Sequence, residues 1–201
     1  MLELYCMRIF VALDLDEEIR ERIQQFVDNV RQFAPATRWV SAESLHITLK
    51  FIGERPDALV KQIETILSSL SHGSFRVSFN GSGFFPTVRA ARVFWVGIQA
   101  EAGLAELARK IEDTLVNLDI PKEQRAFSPH LTLARASGGS GAPGWRKADK
   151  PNQQFARLQE QLDKLSPAEF GTMTAREFYL YRSQVSSKGS RYTKITRFAL
   201  S

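Results

Sequence analysis

Residues 8–15, RIFVALDL, place an apolar run between polar Arg8 and Asp14, and most of these residues favour extended backbone, so a strand is predicted there. Asp16 follows at an N-cap position, with Glu17 and Glu18 in a first turn where the helix dipole favours carboxylates. Ile19, Ile23, Phe26, Val27 and Val30 recur at helical spacing, which predicts a helix to about Phe33, ahead of Pro35. Residues 39–52 read as a second strand region, interrupted at 41–44. Pro56 then opens a helix with Leu59, Ile63, Ile66, Leu67 and Leu70 on one face. Residues 75–79 and 93–98 read as strands, joined through the turn-rich stretch 81–86.

The second half repeats this grammar. Leu104, Leu107, Ile111, Leu115 and Leu118 make an amphipathic helix that Pro121 ends, and a strand is expected around 130–133. A loop rich in Gly and Pro covers 137–144. A helix carrying Phe155, Leu158, Leu162 and Leu165 comes next, and 177–181 and 192–200 read as closing strands. No linker is long or polar enough to separate two independent domains, so residues 1–201 read as one domain with an internal pseudo-duplication.

Composition narrows the class. Hydrophobic residues make up 43% and charged residues 24% of 201 positions, enough apolar material for a packed core. The single Cys6 excludes an intramolecular disulfide framework and a multi-cysteine zinc site. No run approaches the ~20 apolar residues of a membrane span. The N-terminal apolar stretch is cut by Glu3 and Arg8, unlike a signal peptide, so a soluble cytoplasmic protein is expected. Charge is uneven: residues 1–124 carry 14 basic and 17 acidic side chains, residues 125–201 carry 13 and 5. The positive field belongs to the C-terminal part, where it serves either solubility or the attraction of a polyanion.

Only three histidines are present, and two open the same phrase, His46-Ile47-Thr48-Leu49 and His130-Leu131-Thr132-Leu133. On a strand, side chains alternate faces, so each phrase presents one imidazole and one hydroxyl together while the apolar residues point into the core. Two imidazoles with ordinary pKa near 6.5 suit paired proton transfer at neutral pH. Threonine hydroxyls and an arginine suit the non-bridging oxygens of a phosphate, and phosphoryl transfer needs mainly positioning and electrostatics. The third, His72 in Ser71-His72-Gly73, reads as a structural residue. Without flanking carboxylates or thiols at ligand spacing the pair makes a poor zinc site, so neither metal nor cofactor is expected.

The stretch Arg38-Trp39-Val40 followed by Leu45-His46-Ile47-Thr48-Leu49-Lys50-Phe51-Ile52-Gly53 resembles the bacterial and archaeal RNA 2′,3′-cyclic phosphodiesterases, once called 2′-5′ RNA ligases, of the two-histidine phosphoesterase superfamily. Phe127-Ser128-Pro129-His130-Leu131-Thr132-Leu133-Ala134-Arg135 resembles the second motif of that family. Residues 7–13 resemble its usual start, and Leu180-Tyr181-Arg182-Ser183 with Gly189 and Tyr192 its closing hairpin. Residues 1–6 then read as an extension. The resemblance implies an α+β bilobal fold, two antiparallel-sheet lobes with outer helices around a central cleft. It further implies metal-independent hydrolysis of an RNA 2′,3′-cyclic phosphate to a 2′-phosphomonoester, with 2′-5′ ligation as the reverse. It assigns His46 and His130 as the acid/base pair, the first usually the acid to the 3′ oxygen and the second the base for water. Thr48, Thr132 and Arg135 are implied to bind phosphate. RNA ends, including tRNA fragments, are the implied partner of a monomer.

Several positions stay open. Arg135 lies five residues after His130, so on a regular strand it faces away, and the strand must end, bulge or twist before it. Phe51 has core parity relative to His46. Phe10 and Phe127 are candidates for lining the cleft. Tyr192 and Lys188 are candidate RNA contacts, as are Arg146 and Lys147 with Trp145 and Lys150 beyond the 137–144 loop, where basic and aromatic residues suit a single-stranded end. Alternative substrates are a small cyclic nucleotide or an ADP-ribose cyclic phosphate, and the alternative class is a non-catalytic RNA-binding module.

Overall fold

The computed structural model describes residues 6–136, 152–186 and 189–201. Along them run β1 (Cys6–Leu13), α1 (Glu17–Val30), β2 (Arg38–Trp39), β3 (Ile47–Pro56), α2 (Asp57–Ser68), β4 (Phe75–Phe85), β5 (Val93–Ala100), α3 (Ala102–Leu115), β6 (His130–Arg135), α4 (Gln153–Leu162), β7 (Glu169–Ala175), β8 (Glu177–Ser186) and β9 (Gly189–Ala199). The strands form two antiparallel sheets, one of order β3-β1-β8-β9 and one of order β2-β6-β5-β4-β7. This is the expected α+β bilobal arrangement, and each sheet carries one His-x-Thr phrase.

Each helix forms for the reason its apolar spacing gives. In α3, Leu104, Leu107, Ala108, Ile111 and Leu115 are buried, each large side chain contributing roughly 1.5–3 kcal/mol over exposure. Asp16 stands at the N-cap of α1 with extended backbone but makes no side-chain capping bond. Glu17 and Glu18 of that first turn instead pair with Arg20 at 3.4 Å and Arg22 at 2.5 Å. Helix α4 is capped by Asn152, whose side chain accepts from the backbone N–H groups of Gln154 and Phe155.

Strand β1 lies inside its sheet with β3 and β8 as neighbours and is buried on both faces. Ile9, Val11 and Leu13 face the main core, whereas Phe10 and Ala12 join Tyr179 and Tyr181 in a separate aromatic cluster. One face of this sheet is therefore core, and the other is an aromatic floor.

Three sequence readings are corrected. The turn-rich stretch 81–86 does not break the chain into a turn: β4 runs through it to Phe85, absorbing the irregularity as a bulge near Gly81, whose φ is +63°. The region 39–52 is not one interrupted strand. β2 pairs with β6 in the five-stranded sheet, and β3 pairs with β1 in the other, because the 3-10 turn Ala42–Ser44 carries the chain across. Strand β7, which pairs along β4, went unread. Its sequence, EFGTMTA, keeps only a weak alternation and holds a glycine at φ +106°. The loop 137–144 lies outside the described residues.

Candidate active site

The two phrases are built alike. His46 stands immediately before β3, and its Nδ1 lies 2.8 Å from the Ser44 carbonyl oxygen. His130 opens β6, and its Nδ1 lies 2.8 Å from the Ser128 carbonyl oxygen. A carbonyl only accepts, so each Nδ1 carries the proton and donates it, and each neutral ring keeps its Nε2 lone pair for the cleft. Both imidazoles are thereby pinned by the backbone two residues upstream.

The parity problem at Arg135 resolves through a bulge. Phe94 pairs with Ala134 and Trp95 with Thr132, so β6 carries one extra residue, Leu133, between them. Leu131, Leu133 and Ala134 are buried, while His130, Thr132 and Arg135 share the partly exposed face. The same device occurs in β3. Val11 pairs with Lys50 and Ala12 with Thr48, which leaves Leu49 as the extra residue. Burial then follows the same order: His46 and Thr48 partly exposed, Ile47, Leu49 and Lys50 buried, Phe51 exposed. Phe51 is thus the counterpart of Arg135, and its core parity is corrected. It pairs with Phe10 across the strands, its ring is 5.8 Å from that of Phe10, and it is 55% exposed.

Rings support both imidazoles. Phe10 lies beneath His46 at 4.8 Å, Tyr192 meets it edge-on at 5.0 Å, and Tyr181 stands at 6.2 Å. Phe10 itself is 1% exposed, so it lines the cleft as floor. Phe85 meets His130 edge-on at 5.0 Å and packs on Trp95 at the same spacing. Gly83 makes that possible, since a Cβ there would stand 2.4 Å from the Trp95 ring. Phe127, 36% exposed, stands one residue ahead of Ser128, whose carbonyl holds His130.

Burial, with the nearby positive charge of Arg135 and the second histidine, pushes the His46 pKa down to about 4, against the raising effects of the Ser44 carbonyl and Asp14. His130 is lowered as well, first by burial and then by Arg135, against its bond to Ser128. In the free site both imidazoles are neutral at pH 7. The Arg135 guanidinium is itself partly desolvated, which lowers its pKa from the ordinary arginine value.

One site residue escaped the sequence reading. Arg38 of β2 pairs directly with Arg135 across the strands, so the two guanidinium groups lie on one face. Like charges directly opposite are unfavourable in the absence of an anion. The Arg-Trp-Val stretch that marks Arg38 in the sequence was read only as part of a motif. Trp39, its neighbour, turns inward, donating from its indole to the Ala34 carbonyl at 3.1 Å. His72 is buried away from this cleft, bonded through Nδ1 to the Gly73 carbonyl at 2.7 Å. Lys188, Arg146 and Lys147 lie outside the described residues, as do Trp145 and Lys150.

The arrangement offers two neutral bases, two hydroxyl donors and a pair of guanidinium charges, with His46 within electrostatic reach of both His130 and Arg135, which is what an anionic tetrahedral centre requires. Comparison with known proteins agrees. The family model for LigT-like phosphoesterases matches two consecutive stretches, 13–95 and 96–192, each holding one His-x-Thr phrase. The chain is 31% identical over 195 residues to the RNA 2′,3′-cyclic phosphodiesterase of Methanothermobacter thermautotrophicus, covering 96% of this chain and 98% of that protein. It is 32% identical over 192 residues to the same-named protein of Archaeoglobus fulgidus, covering 96% and 99%. The crystal structure of E. coli LigT complexed with 3′-AMP superposes with a TM-score of 0.75 at 26% identity, covering 98% and 99% of the two chains.

Proposed function

The chain belongs to the LigT-like phosphoesterase family, and from that premise we propose that it hydrolyses the 2′,3′-cyclic phosphate at an RNA end, leaving a 2′-phosphomonoester. The observation that carries the reading is the doubled ledge: two imidazoles, each pinned at Nδ1 by a carbonyl two residues upstream, each beside a threonine hydroxyl. One Nε2 accepts a proton from water as its oxygen attacks phosphorus. The other delivers a proton to the departing 3′ oxygen, so the P–O3′ bond breaks without an alkoxide forming. Thr48 and Thr132 donate to the non-bridging oxygens, and Arg135 offsets the charge that builds on them.

Both imidazoles are neutral in the free site, so the acid acquires its proton when the anionic substrate binds and raises the proton affinity of the ring beside it. Phe51 offers an exposed ring on the same face as His46, a stacking surface for the terminal base. Both motifs come from one chain, which makes a monomer sufficient. Cleaved RNA such as tRNA fragments in the cytoplasm is the substrate pool that fits, and ligation through a 2′-5′ bond is the same step with an RNA 5′-hydroxyl attacking phosphorus in place of water while the P–O3′ bond breaks, its reversal cleaving that linkage. Among the described residues no helix is long and apolar enough to cross a membrane.

The test is hydrolysis of a short RNA with a 2′,3′-cyclic end, in EDTA, with 2′- and 3′-phosphate products resolved. The expected result is 2′-phosphate alone, with His46→Ala and His130→Ala each lowering kcat by about 10²–10⁴-fold. A 3′-phosphate product, or turnover indifferent to both substitutions, overturns the assignment. A cyclic mononucleotide and an ADP-ribose cyclic phosphate run alongside: faster turnover of either would move the substrate away from RNA.

A further inference from the structure

Two grooves lie close to the residues that surround the histidines. One, of about 820 Å³, lies beside the turn that precedes His46 and is bordered by Tyr181 and Tyr192. The other, of about 360 Å³, lies between the unpaired edge of β3 and residues 120–125, the segment that leads into His130, and begins at Phe51. Size alone favours the first. Charge separates them differently. The larger groove sets Arg20, Arg191 and Lys194 against the carboxylates of Asp14, Glu17, Glu21 and Glu43. Two of its three cations are already engaged, because Arg20 and Lys194 both bind Asp14, at 2.6 and 2.5 Å. The smaller groove sets Lys50, Arg55, Lys122 and Arg125 against the one carboxylate of Glu123.

Resting on the reading above, we propose that the RNA strand upstream of the cyclic phosphate leaves the site through the smaller groove, past Phe51, with its phosphates against Arg55, Lys122 and Arg125. A polyanion in the larger groove would run along four carboxylates. In the smaller one the pair that Lys122 makes with Asp113 among the described residues is exposed, the kind worth little in water and readily exchanged for a phosphate. Lys50 is buried and committed to Glu112 and the Pro121 carbonyl, so it shapes the groove wall and does not meet the strand. Phe51 supplies the aromatic surface that single-strand grooves combine with cations.

The experiment is fluorescence anisotropy of a labelled decamer RNA ending in a 2′-phosphate, titrated with protein at several salt concentrations. Binding is read whether or not turnover occurs, so failure of the hydrolysis reading and failure of this one are separate results. Neutralising two phosphate contacts with Arg55→Gln/Lys122→Gln should weaken Kd about tenfold at low salt. It should also flatten the slope of log Kd against log salt by about 1.4, at roughly 0.7 per contact. The opposite groove is altered with Glu21→Lys/Gln25→Lys, both exposed positions lining it. That variant should leave Kd and slope unmoved. Tighter binding by the second variant, or an unmoved slope in the first, overturns the proposed path. Thermal melts of both variants exclude loss of fold as the cause.

Discussion

Replacing Lys50 with Met removes a charge that the fold holds in place. The Lys50 side chain is 2% exposed, and its Nζ donates to Glu112 Oε1 at 2.9 Å and to the Pro121 carbonyl at 2.8 Å. Methionine keeps most of the apolar stem, so packing changes little. What is lost is the partner of a mostly buried carboxylate, which among the described residues keeps the Glu123 backbone N–H at 2.9 Å. Removing one member of a buried pair costs about 3–5 kcal/mol. Glu112 is 20% exposed, so water recovers part of that, while the Pro121 carbonyl loses a donor worth about 1 kcal/mol. We expect Lys50→Met to destabilise by about 3 kcal/mol, a fall in Tm of about 10 °C for a chain of this size. The double variant Lys50→Met/Glu112→Leu should recover most of it, giving a coupling on the order of 2 kcal/mol. Urea unfolding followed by tryptophan fluorescence measures all four corners of the cycle. A single-variant cost below about 1 kcal/mol, or a double variant no better than the single, would refute the claim that this ion pair ties the first motif to the segment leading into the second.

Two further outcomes are expected. Arg135→Leu should lower kcat about 10²–10³-fold, with Arg135→Lys between it and the parent. Burial holds both histidines down first and the Arg135 charge adds to it, so its loss should also move the acid limb of the kcat/KM profile somewhat to higher pH, and an unmoved limb would make Arg135 a bystander to the imidazoles. Protonating His46 opposes folding, since its pKa falls from 6.5 in the unfolded chain to about 4 in the fold. That contribution is intact above pH 6.5 and is lost as pH falls toward 4, so the parent should lose about 2 kcal/mol relative to His46→Gln between pH 7.5 and 5. Parallel stability curves for the two proteins would show the ring to be less desolvated than its ring contacts imply.

The elements legible in the sequence were the helices α1, α2 and α3, whose periodicity is set by one buried face, and the strands β1, β5 and β6, which show as runs of β-favouring residues. The paired histidines were legible too, because two copies of one phrase are conspicuous among only three histidines. What failed was everything that depends on pairing partners. Strict alternation sends Phe51 to the core, yet the extra residue at Leu49 shifts the register against β1 by one and turns it out to solvent. Arg38 was invisible as a site residue because its only qualification is the strand opposite it. The change of sheet between β2 and β3 likewise has no local marker beyond the 3-10 turn at Ala42–Ser44.

The bulge is the feature the two halves share most closely, and its position has a chemical reason. A strand without it could place His and Thr on the cleft but would send the residue five places on to the opposite face. With it, each half gains a third cleft-facing side chain beyond its threonine, and the residue that follows the extra position, Lys50 or Ala134, goes into the core. The duplicated part serves the phosphate, whose two non-bridging oxygens are alike and whose attacking and leaving oxygens exchange roles between forward and reverse reactions. The rest of a ligand is not symmetric: it has a base and a strand on one side only. The third position is where the halves diverge, to an exposed ring at Phe51 and a guanidinium at Arg135. The same divergence extends to the segments ahead of each histidine, one bordered by Glu43 and the other by Lys122 and Arg125. A symmetric frame for proton transfer thus becomes directional through the residues that the bulge exposes.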